Sequence, residues 1–412
     1  MNSRQIIVVG GGAAGFFAAI AAAEQGASVT LLEKSARFLD KVRISGGGRC
    51  NVTHACFEPR EFTTRYPRGE RTLRGPFQQF SARDTVDWFA GRGVELKTEK
   101  DGRMFPVTDS SQTIVDCLFN AAEKARVNLR LNCTVESAAK LADGRFELES
   151  SGSGMGVSRG KIQADKLLLA TGGCRAAAAG HLAVSLGHQL VAPVPSLFTF
   201  QIEAPWLRSL AGVSLESAEV AIPVAKLRER GPLLVTHWGL SGPAILKMSA
   251  WGARDLHGLD YKFPLLVNWL PDFSSEKIAA EFQRRRETVG AKLVVNVPLA
   301  PLTARLWEQL VLAAGLAPDT RWSKMSRPQA HALTQQLTRS EFMVTGKSLN
   351  KDEFVTCGGV NLSEVSFKTM ESKVCPGLFF AGELLDIDGI TGGFNFQAAW
   401  TTGFIAGNAM VA

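Results

Sequence analysis

Three glycines near the N-terminus have the spacing of a phosphate site for a dinucleotide. Gly10, Gly12 and Gly15 follow a short apolar run and open an alanine-rich one. In this pattern the first glycine permits a tight turn, the second leaves room for a pyrophosphate, and the third lets a helix pack on a strand. Glu33 follows at the tip of the next apolar run, where a carboxylate can accept hydrogen bonds from both ribose hydroxyls.

The elements around these glycines form a complete βαβ unit. Residues 5–9 are apolar and β-branched, which predicts a buried parallel strand. Residues 13–25 predict a helix that Gly26 ends, and residues 28–32 predict the second strand. The helix start would then direct unpaired N–H groups at the phosphates. Glu33 would repel a 2′-phosphate, so the pattern disfavours NADP at this site.

Three later motifs favour FAD over NAD as the dinucleotide. Residues 171–173 (TGG) end a predicted buried strand, and residues 382–383 (GE) follow another. Residues 392–397 (GGFNFQ) lead directly into a closing helix predicted over 394–411. The N–H groups of that helix would face the flavin pyrimidine ring, whose N1–C2=O region gains negative charge on reduction.

The densest polar stretch of the chain runs from residue 41 to residue 54. Three successive glycines would let the backbone approach a flat ring closely. Lys41, Arg49 and Asn51 are hydrogen-bond donors suited to flavin or substrate oxygens. Two interpretations stay open: Arg49 and Asn51 act in catalysis, or they tie this loop to the scaffold.

Cysteine chemistry offers an alternative at the same place. Cys50 and Cys56 lie where disulfide reductases carry a redox pair, but five residues separate them, and a second GxGxxG domain is missing. The seven cysteines are scattered and include no CxxC pair, so the sequence predicts reduced thiols and no metal site.

Residues 236–243 (THWGLSGP) contain the remaining catalytic candidate. His237 beside Trp238 could donate a proton after hydride delivery. The alternative is a histidine that simply packs against Trp238.

A basic segment suggests a nucleic-acid partner. Five arginines (Arg60, Arg65, Arg68, Arg71 and Arg74) surround Phe62 and Tyr66, and residues 284–286 are all arginine. Arginine with exposed aromatic rings can hold phosphates and stack on an unpaired base. A formal net charge of +7 agrees with this interpretation but equally with a solvated basic surface.

The whole pattern predicts an α/β fold with an inserted module. A Rossmann-type FAD-binding domain would form from both chain ends, residues 1–190 and 351–412. The insertion would comprise a β-rich barrel-like domain (191–272 with 341–350) and a small helical domain (273–340). No leader or long apolar segment is evident, so we expect a cytoplasmic protein; the oligomeric state is not predictable from the sequence.

Several unusual strings resemble the BaiN/RdsA-type (YhiN-like) flavoproteins, a family of NAD(P)/FAD-dependent oxidoreductases. They include SGGGRCN (45–51), SLFTF (196–200), THWGLSGP (236–243) and TCGGV (356–360), and the resemblance spans the chain. It implies the three domains described above. With it, the residues predicted to hold FAD are Gly10, Gly12, Ala14, Gly15, Glu33, Lys34, Lys41, Ser45, Gly46, Gly47, Gly48, Arg49, Cys50, Asn51, Val135, Thr171, Gly172, Gly173, Gly382, Glu383, Asp386, Gly392, Gly393, Phe394, Asn395 and Gln397.

The resemblance implies hydride transfer at flavin N5, with activities that differ within the family. One expectation is a reductase driven by NAD(P)H, whose acceptor is a uracil of large-subunit ribosomal RNA (giving dihydrouridine) or a small unsaturated molecule. A second is an oxidase that passes electrons from a small amine to oxygen, and a third is an RNA-binding protein with a structural flavin. The chain departs from the family after Gly173, where hydroxyl-bearing residues are replaced by CRAAAAGH (174–181).

Overall fold

The computed structural model describes residues 3–152, 160–174, 180–348 and 355–412. They form two compact units, Met1–Ser196 with Asn350–Ala412, and Leu197–Leu349. The stretch 151–160 (SGSGMGVSRG), whose composition predicts an exposed hairpin loop, lies largely outside the described residues.

The strands, numbered in chain order, are β1 (Gln5–Val9), β2 (Ser28–Leu32), β3 (Thr53–His54), β4 (Leu96–Thr98), β5 (Arg103–Pro106), β6 (Asn128–Arg130), β7 (Cys133–Lys140), β8 (Phe146–Gly152), β9 (Gly160–Ala164), β10 (Lys166–Leu169), β11 (Leu190–Ser196), β12 (Thr199–Ile202), β13 (Ser214–Ile222), β14 (Leu227–Thr236), β15 (Gly239–Ser241), β16 (Phe263–Asn268), β17 (Ser340–Ser348), β18 (Val355–Val360), β19 (Val365–Ser366), β20 (Glu371–Ser372) and β21 (Leu378–Phe380).

The α-helices are α1 (Ala13–Glu24), α2 (Asp40–Gly48), α3 (Pro59–Thr63), α4 (Glu70–Leu73), α5 (Pro76–Gln79), α6 (Ala82–Ala90), α7 (Ser111–Lys124), α8 (His181–Ser185), α9 (Pro205–Arg208), α10 (Pro243–Trp251), α11 (Ala253–Gly258), α12 (Ser275–Val289), α13 (Ala304–Ala313), α14 (Arg327–Thr338) and α15 (Phe394–Val411).

A seven-stranded sheet forms the core of the first unit, in the order β19-β20-β21-β10-β1-β2-β6. The strands from β21 to β6 run parallel, and Val9 pairs with both Leu169 and Leu32. Because β1, β10 and β21 are short apolar runs with nearly all of their residues buried, they need helices on either side. Their carboxyl ends therefore meet at one edge of the sheet, where α/β folds bind ligands.

Helices from the two ends of the chain pack closely in this unit. A Cβ on Gly403 of α15 would come within 2.5 Å of the carbonyl oxygen of Ala14, and one on Gly407 within 2.5 Å of the carbonyl oxygen of Ala18. Only glycine permits this approach, so the small residues of α1 and α15 fix their contact. The predicted Rossmann-type domain built from both chain ends is confirmed.

Two smaller sheets, β3-β5-β4 and β7-β8-β9, complete the first unit together with the pair β11-β18. A turn that contains Asp143-Gly144 joins β7 to β8, with Gly144 at φ +87°. Residues 191–196, which we expected to begin the insertion, lie in β11, and the first unit extends to Ser196.

The second unit contains a closed six-stranded barrel in the order β12-β15-β14-β13-β16-β17. The predicted β-rich, barrel-like insertion is thus confirmed. The stretch 273–340, predicted to be a small helical domain, contains α12, α13 and α14. These helices and the barrel belong to one compact unit. A division of that unit into separate barrel and helical domains stays a prediction.

Candidate cofactor site and its surroundings

The turn between β1 and α1 is shaped for a diphosphate. Gly10 has φ +113°, and a Cβ there would collide with the carbonyl oxygen of Ala170, while one on Gly15 would collide with that of Gly10. In contrast, nothing lies within 4 Å of a Cβ built on Gly12. The backbone is therefore bare where the second glycine faces the start of α1, as a bound pyrophosphate requires.

Glu33 extends from the end of β2 toward this turn. Its carboxylate accepts hydrogen bonds from the N–H groups of Gly11 at 2.7 Å and Ser35 at 2.8 Å. The N–H of Cys133 donates to the carbonyl of Glu33, so β7, with its buried Val135, begins beside the same edge. Lys34, the next residue, is exposed.

The ends of β10 and β21 bring two further predicted segments to this edge. A Cβ on Gly173 would come within 2.7 Å of the Glu383 carboxylate. That carboxylate accepts from the N–H of Thr356 at 2.9 Å and pairs with the ammonium of Lys41. Lys41 is therefore held by a carboxylate, and its positive charge is largely compensated.

Gly46, Gly47 and Gly48, which we call the glycine bed, interrupt α2. Ser45 and the glycines that follow it leave helical geometry, and Gly46, Gly47 and Gly48 all have positive φ. These three glycines are exposed, and nothing lies within 4 Å of a Cβ on Gly47 or Gly48. The bare, left-handed backbone leaves space for a flat ring.

Arg49 is engaged by the scaffold. Its guanidinium lies 2.6 Å from the carboxylate of Glu99 and 3.5 Å from that of Asp109, and it stacks 4.0 Å from the centre of the Phe105 ring. These contacts match the loop-tying interpretation. A catalytic role for Arg49 stays a prediction.

Asn51 connects the glycine bed to the loop before α15. With its amide oriented so that both atoms find partners, it accepts from the N–H of Gly393 at 2.9 Å and donates to the carbonyl of Thr53 at 3.0 Å. Asn51 is buried. Its position beside Gly393 also makes it a loop-positioning residue.

The loop from Asp386 to Gly393 is held by its own neighbours. Asn395 donates to the carbonyl of Gly389 and accepts from its N–H, both at 2.8 Å. The hydroxyl of Tyr66 donates to the carbonyl of Phe394. Because α15 begins at Phe394, its first-turn N–H groups lack partners within the helix and can bind a ligand oxygen.

The predicted contact of Gln397 with the cofactor stays a prediction, but its side chain is engaged within the protein. It is fully buried, accepts from the hydroxyl of Thr53 at 2.6 Å and donates to the carbonyl of Ser81 at 3.1 Å and to Thr401 at 3.0 Å. These bonds occupy the side-chain amide of Gln397 within the protein, and the sequence alone does not predict them.

The basic segment 60–74 differs from the predicted nucleic-acid clamp. Phe62 and Tyr66 are 2% and 0% exposed, so neither can stack on a base. Arg68 is also unavailable, because it forms an ion pair with the fully buried Asp388, which accepts from the hydroxyl of Ser196 at 2.7 Å. Burial raises the pKa of Asp388, and the charge of Arg68 opposes that rise. The remaining arginines of the segment are exposed: Arg60, Arg65, Arg71 and Arg74.

The second predicted basic cluster is mainly structural. Arg285 is buried and donates to the carbonyls of Val297 and Pro298, and Arg286 donates to that of Met325. Arg284 pairs with Glu281. A long side chain that caps loop carbonyls has the same sequence signature as one that faces solvent.

His237 lies at the tip of the β14–β15 hairpin in the second unit. His237 and Trp238 form its two-residue turn, both are exposed, and Trp238 retains 37% of its accessible surface. A catalytic role for His237 and the alternative, a histidine that packs against Trp238, both stay predictions. Arg49 and Asn51, the other catalytic candidates, belong to the first unit.

All seven cysteines are free. Cys50 is fully buried, and burial raises the pKa of its thiol to about 12, while the pKa of Cys56 is also raised by burial. A redox pair needs a thiolate, so these values argue against the disulfide-reductase alternative. Within the described ranges no group of three His, Cys, Asp or Glu side chains could hold a metal ion, and no helix is long and apolar enough to cross a membrane.

Comparisons with known proteins agree with this geometry. The family model for the HI0933-like protein Rossmann domain matches residues 4–409. A ribosomal RNA dihydrouridine synthase of Escherichia coli (strain K12) is 31% identical over 399 residues, which are 94% of this chain and 93% of that protein. A 3-dehydro-bile acid delta(4,6)-reductase of Clostridium scindens is 27% identical over 93% of this chain and 92% of its own length.

A solved structure shares the fold. The 3-ketosteroid-delta4-(5alpha)-dehydrogenase from Rhodococcus jostii RHA1 superposes with a TM-score of 0.53 at 15% identity, covering 99% of this chain and 97% of that one. Fold, site and relatives together define an FAD-dependent oxidoreductase. The chain belongs to the HI0933-like family.

Proposed function

We propose that this protein is an NAD(P)H-fuelled reductase that saturates a uracil base of ribosomal RNA, giving dihydrouridine. The observation that carries this proposal is the 31% identity to a ribosomal RNA dihydrouridine synthase over 94% of the chain. The 27% identity to a bile acid reductase over 93% of the chain favours a second candidate, reduction of a small unsaturated ketone.

Both candidate acceptors present the same reacting group, a carbon–carbon double bond conjugated to a carbonyl. FAD, when bound and reduced by the hydride of NAD(P)H, would supply a hydride from N5 to the carbon remote from the carbonyl. A proton must then reach the carbon next to the carbonyl. We assign that proton to His237, which is exposed at its hairpin tip and therefore accessible to a substrate.

We propose that the predicted FAD residues act mainly through backbone and charge. The cradle at Gly10–Gly15 would hold the diphosphate, Glu33 the ribose, and the first turn of α15 the pyrimidine ring. Glu33 would repel the 2′-phosphate of NADPH, so NADPH would not occupy this ribose site. The nicotinamide donor would instead bind transiently to protein that already holds FAD.

An anaerobic experiment separates the proposal from its alternatives. Purified holoenzyme is mixed with NADPH or NADH, and bleaching of the flavin band is followed before ribosomal RNA from cells lacking the gene is added. We expect bleaching by the nicotinamide, reoxidation by RNA, and dihydrouridine in the digested product. Reoxidation only by a steroid enone would replace RNA with a small acceptor. Bleaching only by an amine would establish the oxidase, and no bleaching by any donor would favour a structural flavin.

A further inference from the structure

The second unit carries a polar groove outside the candidate cofactor site. It lies between the barrel strands β13, β14 and β16 and the last turn of α14, and its volume is about 310 Å³. That volume is at the lower end of the range for small-molecule sites. Glu219, Arg228 and Asn268 face α14 residues Gln335 and Thr338 across it, with Arg339 at the helix end.

The charges of the groove leave one net positive charge. Arg228 lies 3.6 Å from the carboxylate of Glu219, a loose ion pair in which Arg228 is 71% exposed. Within the part of the chain that the structure describes, no carboxylate lies within ion-pair distance of Arg339, which is also exposed. Two guanidinium groups and one carboxylate match a ligand that carries a single negative charge.

Neutral donors complete the lining. The carboxamide oxygen of Asn268 accepts from the N–H of Leu270 at 3.0 Å, so its NH₂ group is the part available to a ligand. The exposed Gln335 offers a second amide on the opposite wall. Guanidinium and amide donors around a narrow groove form the donor set that phosphate oxygens prefer.

We propose that this groove binds a phosphodiester of the RNA backbone. The inference rests on the proposed function, because it takes RNA as the substrate. A phosphodiester carries one negative charge, and its nucleotide chain continues on both sides, which an open groove permits. A free phosphate carries more negative charge, so Glu219 would repel it more strongly. The second unit also holds five more Lys and Arg than Asp and Glu, out of a net charge of +7 for the chain.

The test compares two double variants with equal loss of charge. Arg228→Gln/Arg339→Gln removes the groove cations, and Arg208→Gln/Arg327→Gln removes two exposed arginines of the same unit outside the groove. Binding of a fluorescein-labelled oligouridylate to each holoenzyme is measured over a salt series. For single strands each lost phosphate contact makes the slope of log K against log salt shallower by about 0.7, so the groove variant, which loses one phosphodiester contact, should have a slope shallower by about 0.7.

At about 0.1 M salt this loss corresponds to roughly fivefold weaker binding, with the control pair close to wild type. Flavin bleaching by NADPH should be unchanged in both double variants. Equal slopes in the two variants would overturn the groove assignment while leaving RNA reduction intact. Absence of RNA turnover in wild type, by contrast, would overturn the proposed function itself.

Two further arms identify the source of the phosphate. In the first arm, the binding of AMP, inorganic phosphate and oligouridylate is measured for the wild type and the groove variant. If the groove variant loses affinity for AMP or phosphate but binds oligouridylate as the wild type does, the ligand is a free anion. If the groove variant instead weakens binding of NADPH, the phosphate belongs to the electron donor. Either result contradicts an RNA backbone contact.

Discussion

At the scale of single residues, the carboxylate of Glu33 is the polar group most directly placed at the phosphate turn. We expect Glu33→Gln to weaken FAD binding roughly tenfold, because a hydrogen bond to a charged group contributes about 1.5 kcal/mol or more. Fluorescence titration of apoprotein with FAD measures this. Glu123→Gln, on the exposed face of α7, is the matched control. Equal FAD affinities of Glu33→Gln and Glu123→Gln would show that Glu33 does not contribute to FAD binding.

His188 makes stability depend on pH. Its ring is buried between the carboxylate of Glu364, 2.8 Å from Nδ1, and the hydroxyl of Ser372, 2.7 Å from Nε2. Burial lowers the pKa of His188 below its ordinary value of 6.5, although Glu364 opposes the shift. The unfolded chain therefore binds the proton more readily, and stability falls as pH drops below about 6.5 toward the folded pKa.

We expect the free energy of unfolding to decrease from pH 7 to pH 5 in urea titrations, and His188→Gln to flatten that decrease. His331→Gln, at an exposed position on α14, should leave the slope as in wild type. A pH profile that is identical in His188→Gln and wild type would show that another group is responsible.

The sequence could not predict which residues the polar side chains of the candidate site bind. Gly10, Gly15 and Glu33 were predictable because their spacing follows from local geometry. Arg49, Arg68 and Gln397 were not, because each bonds to a residue distant in sequence. The sequence does not distinguish an arginine that faces solvent from one, such as Arg49, that pairs with Glu99.

At the scale of elements, the contact between α1 and α15 depends on small residues. We expect Gly403→Ala to destabilise the protein by about 1 to 3 kcal/mol, because its Cβ would meet the backbone of Ala14 and force the helices apart. Thermal unfolding of the holoprotein, with the amount of FAD retained, measures the effect. Gly75→Ala is the control, since nothing lies within 4 Å of a Cβ there and its φ is −68°. Similar melting temperatures for both variants would contradict this packing.

The loop from Asp386 to Gly393 is braced by the segment that includes Arg68. We expect Arg68→Gln to cost about 3 kcal/mol of stability, because it leaves the buried Asp388 without its ion-pair partner. Loosening the loop should also shift the visible spectrum of bound flavin. Arg65→Gln, which removes only an exposed pair with Glu61, should change neither property. An unaltered spectrum in Arg68→Gln would limit Arg68 to a purely structural role.

Periodicity predicted the long elements well and the short ones poorly. The bounds of β1 and β2 agree with the expected residues, because continuous apolar runs between glycines leave little choice. The two-residue strand β3 and the short helices α3 to α5 carry too few residues for a periodic signal. Phe62 of α3 and Tyr66, which lies between α3 and α4, pack inward, and the arginines around them gave no sign of this in the sequence.

At the scale of the whole molecule, the candidate cofactor site depends on chain segments that are nearly the full sequence apart. Residues 10–15 and 33 come from the first βαβ unit, and residues 382–393 from the last strand and loop. The parallel register of β21, β10 and β1 aligns their carboxyl ends, so neither chain end forms the site alone. The family match over residues 4–409 agrees with an arrangement that needs both ends.

Hydrogen exchange tests this dependence directly. A ligand at 100 times its dissociation constant stabilises the folded state by about 2.7 kcal/mol, so FAD should slow exchange wherever it contacts or orders the backbone. We expect protection on FAD addition in peptides covering 10–15, 45–51 and 382–396 together, since all three border one cofactor. Peptides of the barrel strands β13 and β16 serve as the internal comparison. Protection confined to residues 10–15 would mean that the cofactor binds the N-terminal turn without the C-terminal loop, and the site as described would be wrong.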